Sequence, residues 1–518
     1  MRGIFLSSSF LIVILFATGI EAQATIRRVP TDYSTIQQAI NASVNGDAVV
    51  VAPGTYVENI NFLGKAITVT SEAGPEVTII DGNHLGPTVR FNSGEGQDSV
   101  LSRLTVQRGD SAINELGGGI SIEQSSPTIT DNIITHNTAC AGGAGIGVFI
   151  GSPVIQGNNI SGNLEAGCLG PRGAGGIHIL GDSSAQILRN TIANNAFQNG
   201  GGIRLSQIGN SPLTIRGNII TGNDGAPTGG GIAVEGFSPK LTIVQNVITR
   251  NSASWGAGIY IGDAAGEIIN NTIADNFGSR GTGIFLASII FLTKYHNNIV
   301  TNPNPGASAF YCSGPEVPFL EPAVFKDNDF FSGGFRPFDG QCRSQVGLNG
   351  NISADPLFVN PAAVDYHLRS GSPSIDTGDN SAPNLPATDL DGYLRIQDGN
   401  GDGIAIVDMG VYETLPPAPP FDICIQDDSS GSIFKFNSTT GDYQFTNCSG
   451  LTLSGTGTLI KRGSVITFQH YASDRRVLAR IDTSVNKGTA SIQLFSPSAT
   501  FTITDRNTAN NTCACAAH

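Results

Sequence analysis

The sequence is poor in charge, and poorest in positive charge. Only 14% of its 518 residues are Asp, Glu, Lys or Arg, and 28 Lys plus Arg stand against 42 Asp plus Glu, a net of −14. Nucleic acid and anionic membranes both need a basic surface, so this composition excludes them as partners. A leucine framework is missing, which removes leucine-rich repeats. Uninterrupted helical stretches are missing too, which removes ankyrin and other helical repeats, because the recurring glycines would break them. Beyond residue 20 no apolar stretch is long enough to span a bilayer.

What fills the chain instead is a seven-fold repeat. The unit reads N-x-I-x-x-N, then a variable loop, then a glycine-rich stretch closed by isoleucine. The first Asn falls at Asn132, Asn158, Asn190, Asn218, Asn246, Asn271 and Asn297, with steps of 26, 32, 28, 28, 25 and 26 residues. The second follows at Asn137, Asn163, Asn195, Asn223, Asn251, Asn276 and Asn302. The closing isoleucines are Ile120, Ile146, Ile177, Ile203, Ile232, Ile259 and Ile284. A fixed period of this length signals stacked units that bury a core only against their neighbours.

Inside the unit the apolar spacing has period two, as in Gly-Ile-Arg-Leu (202–205) and Gly-Ile-Tyr-Ile (258–261). Short strands follow, not helices. The pattern predicts an all-β chain built as a parallel β-helix, one coil per repeat. Recurring asparagines can then bond up and down the stack at one turn. Glycines supply the positive φ of sharp bends. The repeated Asn, Gly and Ile are therefore read as architecture.

Met1 and Arg2 precede an apolar run from Ile4 to Ile20, and Ala22-Gln23-Ala24 follows. Residues 1–24 read as a secretory signal peptide, which places the mature chain outside the cell or at its surface. Residues 25–56 read as a cap over the first coil, with a short helix carrying Ile36, Ala39 and Ile40 on one face. The solenoid is assigned to 57–413, strict from Leu101 to Asn302, with the ladder lost over 303–375. Residues 414–420 form a Pro-rich linker. Residues 421–518 read as a second, antiparallel β domain of sandwich or barrel type, with predicted strands at 432–437, 442–446, 451–460, 465–471, 477–481 and 490–495. Eight cations and seven anions give that domain a net of +1, so the acidity belongs to the solenoid.

Eight cysteines in an exported chain imply disulfides. Cys140 and Cys168 sit about one coil apart, as do Cys312 and Cys342, and both pairs are expected to staple adjacent coils. Cys424, Cys448, Cys513 and Cys515 form a C-terminal set whose pairing is open. C-x-C without a nearby His pattern is poor zinc spacing.

The opening Tyr33-Ser34-Thr35-Ile36-Gln37-Gln38-Ala39-Ile40, then Gly46-Asp47-Ala48-Val49-Val50-Val51-Ala52-Pro53-Gly54-Thr55-Tyr56, the Asn coils and Asp408-Met409-Gly410-Val411-Tyr412-Glu413 carry a resemblance. The chain resembles secreted bacterial proteins of the right-handed parallel β-helix, pectin-lyase-like superfamily over roughly residues 28–413. The resemblance implies that fold and a carbohydrate ligand along an outward strand face. It leaves activity open, because one fold hosts lyases, hydrolases, epimerases and adhesins.

The repeat names such a face. If each closing isoleucine points inward, the next residue points out. That column reads Ser121, Gly147, His178, Arg204, Ala233, Tyr260, Phe285. Two positions on it reads Glu123, Phe149, Leu180, Ser206, Glu235, Gly262, Ala287. His178, Arg204, Glu235 and Tyr260 are the candidate carbohydrate-binding residues. Polygalacturonase-like hydrolases would need close Asp residues and a Gly-His-Gly, which the sequence lacks. Glu123 and Glu235 lie four coils apart, about 19 Å, too far for either stereochemistry of glycoside hydrolysis. Lys294 and His296 could form a basic pair, but His296 directly precedes Asn297 and is expected in a turn.

Asp398-Gly399-Asn400-Gly401-Asp402-Gly403 matches the first half of a calcium loop, and Asp408 stands one residue early for its closing ligand. Asp398, Asn400, Asp402 and Asp408 are the candidate metal residues, with calcium bracing the end of the helix. Two functional readings stand together: an exported, monomeric scaffold that recognises polysaccharide or a cell-surface partner, and a carbohydrate-active enzyme using Arg204 or His178.

Overall fold

A computed structural model describes residues 24–111, 116–167, 172–236, 240–262, 264–287, 293–302, 306–313, 323–341 and 344–416 of a first unit. In a second unit it describes 423–426, 433–436, 442–446, 452–462, 465–472, 475–482, 487–495 and 498–504. The first unit ends at Pro416 and the second begins at Pro417.

The first unit is a right-handed parallel β-helix. Period-two strands too short to stand alone pair in register with their copies one coil on. They form three parallel sheets of 12, 11 and 11 strands. Each sheet sends a stacked column of residues inward, and the third sends two per coil. The first contributes Ile129, Ile155, Ile187, Ile215, Ile243 and Ile268, each stacked on the next. The second contributes Ile134, Ile160, Ile192, Ile220, Ile248 and Ile273. The closing isoleucines make the third column. All are buried, and each contributes about 1.5–3 kcal/mol of hydrophobic stabilisation. Toward the end of the stack the columns turn aromatic. Tyr295 and Phe325 continue the first, Phe330 the second, and Phe310 and Phe338 the third.

Two asparagine ladders run along the corners. Asn190 shows the pattern: its N–H and its Nδ2 both donate to Asn218 Oδ1 at 2.8 and 3.0 Å, and Nδ2 also donates to the Ile155 carbonyl. From Gly119 to Gly258, the glycine before each closing isoleucine faces the second ladder. A Cβ at Gly202 would lie 2.5 Å from the Gly231 carbonyl oxygen and 3.2 Å from Asn223 Nδ2. Close approach, more than positive φ, is what this glycine permits.

The first ladder departs from the sequence reading in two ways. Its seventh rung is Asn298, not Asn297: Asn271 donates to Asn298 Oδ1 at 3.0 Å. It then continues through Asn328 and Asn351 instead of ending near residue 302. Asn297 occupies the left-handed corner position, with φ of 55°.

Parallel pairing starts inside the segment assigned to the cap, with Ile26–Val29 against Ala48–Val51. The helix Ile36–Ala42 lies between these two strands. Thr35 caps it by accepting from the Gln38 N–H, and Ile36, Ala39 and Ile40 enter the solenoid core.

After the last rung the chain does not run on. Residues 353–416 return along the outside of the late coils. Phe358, Tyr366, Met409 and Val411 pack on the outward Val247, Ala274 and Ile299. Asn297 exchanges hydrogen bonds with the backbone of Asp379, and Asn270 donates to the carbonyls of Asp408 and Gly410. A buried Arg395–Glu413 pair at 3.4 Å holds the returning segment together.

The second unit contains antiparallel sheets of four and five strands. The stretch 451–460 is two strands rather than one, Thr452–Thr456 and Thr458–Arg462, which lie in different sheets. Phe434, Tyr443 and Phe468 pack together inside it. No cysteine is free among the described residues. Cys168, Cys342, Cys448, Cys513 and Cys515 lie outside them, as does the signal segment 1–23.

Candidate functional site

The outward column of the third sheet has the register the repeat predicts: Ser121, Gly147, His178, Arg204, Ala233, Tyr260 and Phe285 are consecutive partners. Its first half is not open. The glycine-rich stretches fold back over the third sheet. A Cβ at Gly147 would meet the Leu116 carbonyl at 1.5 Å, and one at Gly229 would meet the Ala233 side chain at 2.5 Å. His178 and Arg204 are consequently buried. His178 Nε2 bonds Ser206 Oγ at 2.6 Å, and its Nδ1 has no partner. Burial, aided by the Arg204 charge, pushes the imidazole down to about 3, so it stays neutral. Arg204 forms an ion pair with Glu235. Three of the four candidate binding residues are thus committed, Arg204 and Glu235 to each other and His178 to Ser206.

Tyr260 has a different setting. It begins a row of rings along the same face. Tyr260 and Phe285 stack at 5.6 Å and 11°, and Phe285 and Tyr311 at 5.1 Å and 9°. Trp255, from the glycine stretch ahead of Tyr260, stacks on Phe285 at 6.1 Å and 21° and is 41% exposed. The exposed Arg280 guanidinium lies 5.5 Å from the Tyr311 ring centroid, within the range of a cation–π contact. The coil step places identical positions about 4.8 Å apart, so three aromatics in one column must stack. Sequence reasoning reached Tyr260 and Phe285 but missed Trp255, Arg280 and Tyr311. Tyr311 is the next partner of Phe285, hidden because Phe310 replaces the closing isoleucine.

Lys294 and His296 do not act as a pair. Lys294 bonds Glu267 at 3.1 Å, while His296 faces Asp379 at 3.3 Å together with Lys326. Burial lowers the His296 pKa.

Of the candidate metal residues, Asp398, Asn400 and Asp402 share one loop, and Asp408 is engaged outside it. Asp398 accepts from the backbone N–H groups of Gly401, Asp402 and Gly403. Asn400 accepts from Asp402, and Asp402 from Ile404. Asp408 is buried, with its oxygens on the N–H groups of Asp376 and Thr414. Among the described residues no three His, Cys, Asp or Glu side chains gather as a metal site, and no helix is long and apolar enough to cross a membrane.

Residues 170–334 match the family described as Right handed beta helix region. No curated protein matches the chain. Among solved structures it is similar to a complex of XylC with xylose, at 11% identity and a TM-score of 0.42, over 74% of this chain and 96% of that one. It is similar to AlyGC, an alginate lyase of the PL6 family, at 13% and 0.30, over 71% of this chain and 60% of that one. It is also similar to a pectin methylesterase in complex with a hexasaccharide, at 10% and 0.26, over 70% and 99%.

Proposed function

We propose that the protein is an exported, monomeric recognition scaffold whose polysaccharide-binding surface is Trp255, Tyr260 and Tyr311, stacked around the buried Phe285. The carrying observation is the stack itself, four near-parallel rings on an outer face, with Trp255 41% exposed, Tyr260 and Tyr311 half-buried and Phe285 buried between them. Solvent-facing aromatic surface on a rigid support marks a ligand contact. The C–H faces of sugar rings pack on such rings, and Arg280 at the rim offers donors to hydroxyls. The competing reading, a carbohydrate-active enzyme, asks for an activated base or free carboxylates on this face. Glu235 is instead paired with Arg204, and His178 is buried and neutral.

A glycan array with the purified chain tests this. Trp255→Ala and Tyr311→Ala should each weaken the best binder at least tenfold, about 1.4 kcal/mol, while Arg204→Ala should act on stability. Binding retained by the double variant moves the site elsewhere. Unsaturated products from pectin, alginate or chondroitin would overturn the scaffold reading.

Calcium enters this proposal as a brace, held by Asp398, Asn400 and Asp402 without Asp408. A calcium-dependent rise in Tm that vanishes in Asp398→Ala supports it, and a parent that ignores calcium removes it. Cys140–Cys168 and Cys312–Cys342 are proposed as the staples between coils, readable as peptides linked before reduction.

A further inference from the structure

The corner between the first and second sheets carries a cleft of about 410 Å³, closed on one side by the returning loop 388–392. Its lining includes Arg189, Arg216, Gln156, Gln245 and Thr388. The loop is fixed in place: Gln245 Nε2 donates to the Thr388 carbonyl at 2.9 Å, and the Leu390 N–H donates to Val411. The cleft is therefore preformed, and its volume falls within the usual range of small-molecule sites, about 300–1,000 Å³.

Two guanidinium groups line this cleft in a chain whose net charge is −14. Neither forms an ion pair among the described residues. Both acids on the rim are engaged elsewhere. Asp389 is buried and accepts from the N–H groups of Tyr393 and Glu413, and Asp391 pairs with His367 at 2.8 Å. Arg189 sits at the left-handed corner, with φ of 52°, a position that Arg103, Asp131, Gln245, Asn270 and Asn297 hold in other coils.

We infer that this cleft is a second binding site, separate from the aromatic row, for an oxyanion carried by a ligand of monosaccharide size. Each arginine fork can take a carboxylate or sulfate with two parallel bonds. Gln156, Gln245 and Thr388 supply neutral polar groups for hydroxyls.

Calorimetry on the full chain with glucuronate, sulfate and glucose tests it. Glucuronate should bind and glucose should not. Arg189→Asn and Arg216→Met should each cut glucuronate affinity at least tenfold. Asparagine suits the left-handed corner, so Arg189→Asn should keep or raise Tm, and its loss of binding cannot be ascribed to unfolding. Trp255→Ala should leave glucuronate binding unchanged, which separates this site from the aromatic row. Sulfate binding as tightly as glucuronate would overturn the sugar-sized part and leave an anion site. Glucuronate affinity that is absent, or unchanged in both arginine variants, would overturn the whole.

Discussion

The coils around Asn132 to Asn195 and those around Asn246 to Asn302 share one repeat but have different outer faces. Their inward columns are the same isoleucine stacks, fully buried in both. In the early coils the second-sheet strands Ile133–Thr135 and Asn159–Ser161 bury only their central residue. In the late coils Val247–Thr249, Thr272–Ala274 and Ile299–Thr301 are buried throughout. The corner residues differ likewise, exposed Asp131 and Gly157 against buried Gln245, Asn270 and Asn297. A solenoid fixes its inner residues by stacking. Its outer residues record what lies on top, here segment 353–416. The same logic holds on the third sheet, where glycine stretches cover His178 and Arg204 while the rings near Trp255 remain partly open.

The largest test removes the covering contact. Tyr366 is buried, packs edge-on against Phe358 and bonds both Thr249 and Asp275. Tyr366→Ala should cost about 3–5 kcal/mol by chemical denaturation and should expose Val247, Ala274 and Ile299. A cost near zero would mean that the late coils do not depend on their cover.

The next test asks whether the ladder is the same inside both regions. Asn158 and Asn271 make equivalent sets of bonds to the next rung and to a carbonyl of the preceding coil. Asn158→Ala and Asn271→Ala each leave buried groups unpaired, at about 1–3 kcal/mol, and the two costs should agree. A late rung that costs much more would show that the returning segment tightens the ladder as well as covering it.

How much of this was legible follows from what acts locally. Period-two isoleucines and the glycine beat fixed the inward columns and the third-sheet register from Ser121 to Phe285. Asn297 was misread because the motif N-x-I-x-x-N fits it better than its neighbour. The fold spends Asn297 on Asp379, 82 residues away, and uses Asn298 as the rung. Such long-range contacts leave no period in the sequence. The cover over His178 was equally silent, because a glycine that permits a bend and one that permits close approach read alike. The rungs Asn328 and Asn351 were lost once phenylalanines replaced the isoleucines that marked each coil.

The smallest effect separates the two regions by sign. His178 lies in the early coils, with its pKa lowered to about 3 by burial and then by the Arg204 charge. Below pH about 6.5 the unfolded chain takes up this proton and the folded chain does not. The stability this neutral imidazole supports is present above that pH and is lost as pH falls. Glu413, in the returning segment, is raised to about 7 by burial and then by the Asp408 charge. Its protonated form belongs to the folded state, so its contribution is full below its ordinary value, about 4.3, and fades as pH rises through 7. From pH 7.5 to pH 5, hydrogen-exchange protection corrected for intrinsic rate should therefore fall around 174–206 and rise around 395–413. The slope is at most about 1.4 kcal/mol per pH unit for each group. Glu413→Gln should flatten the second trend and leave the first. Protection moving the same way in both segments would mean that one titration governs the whole unit and that the two regions are not energetically distinct.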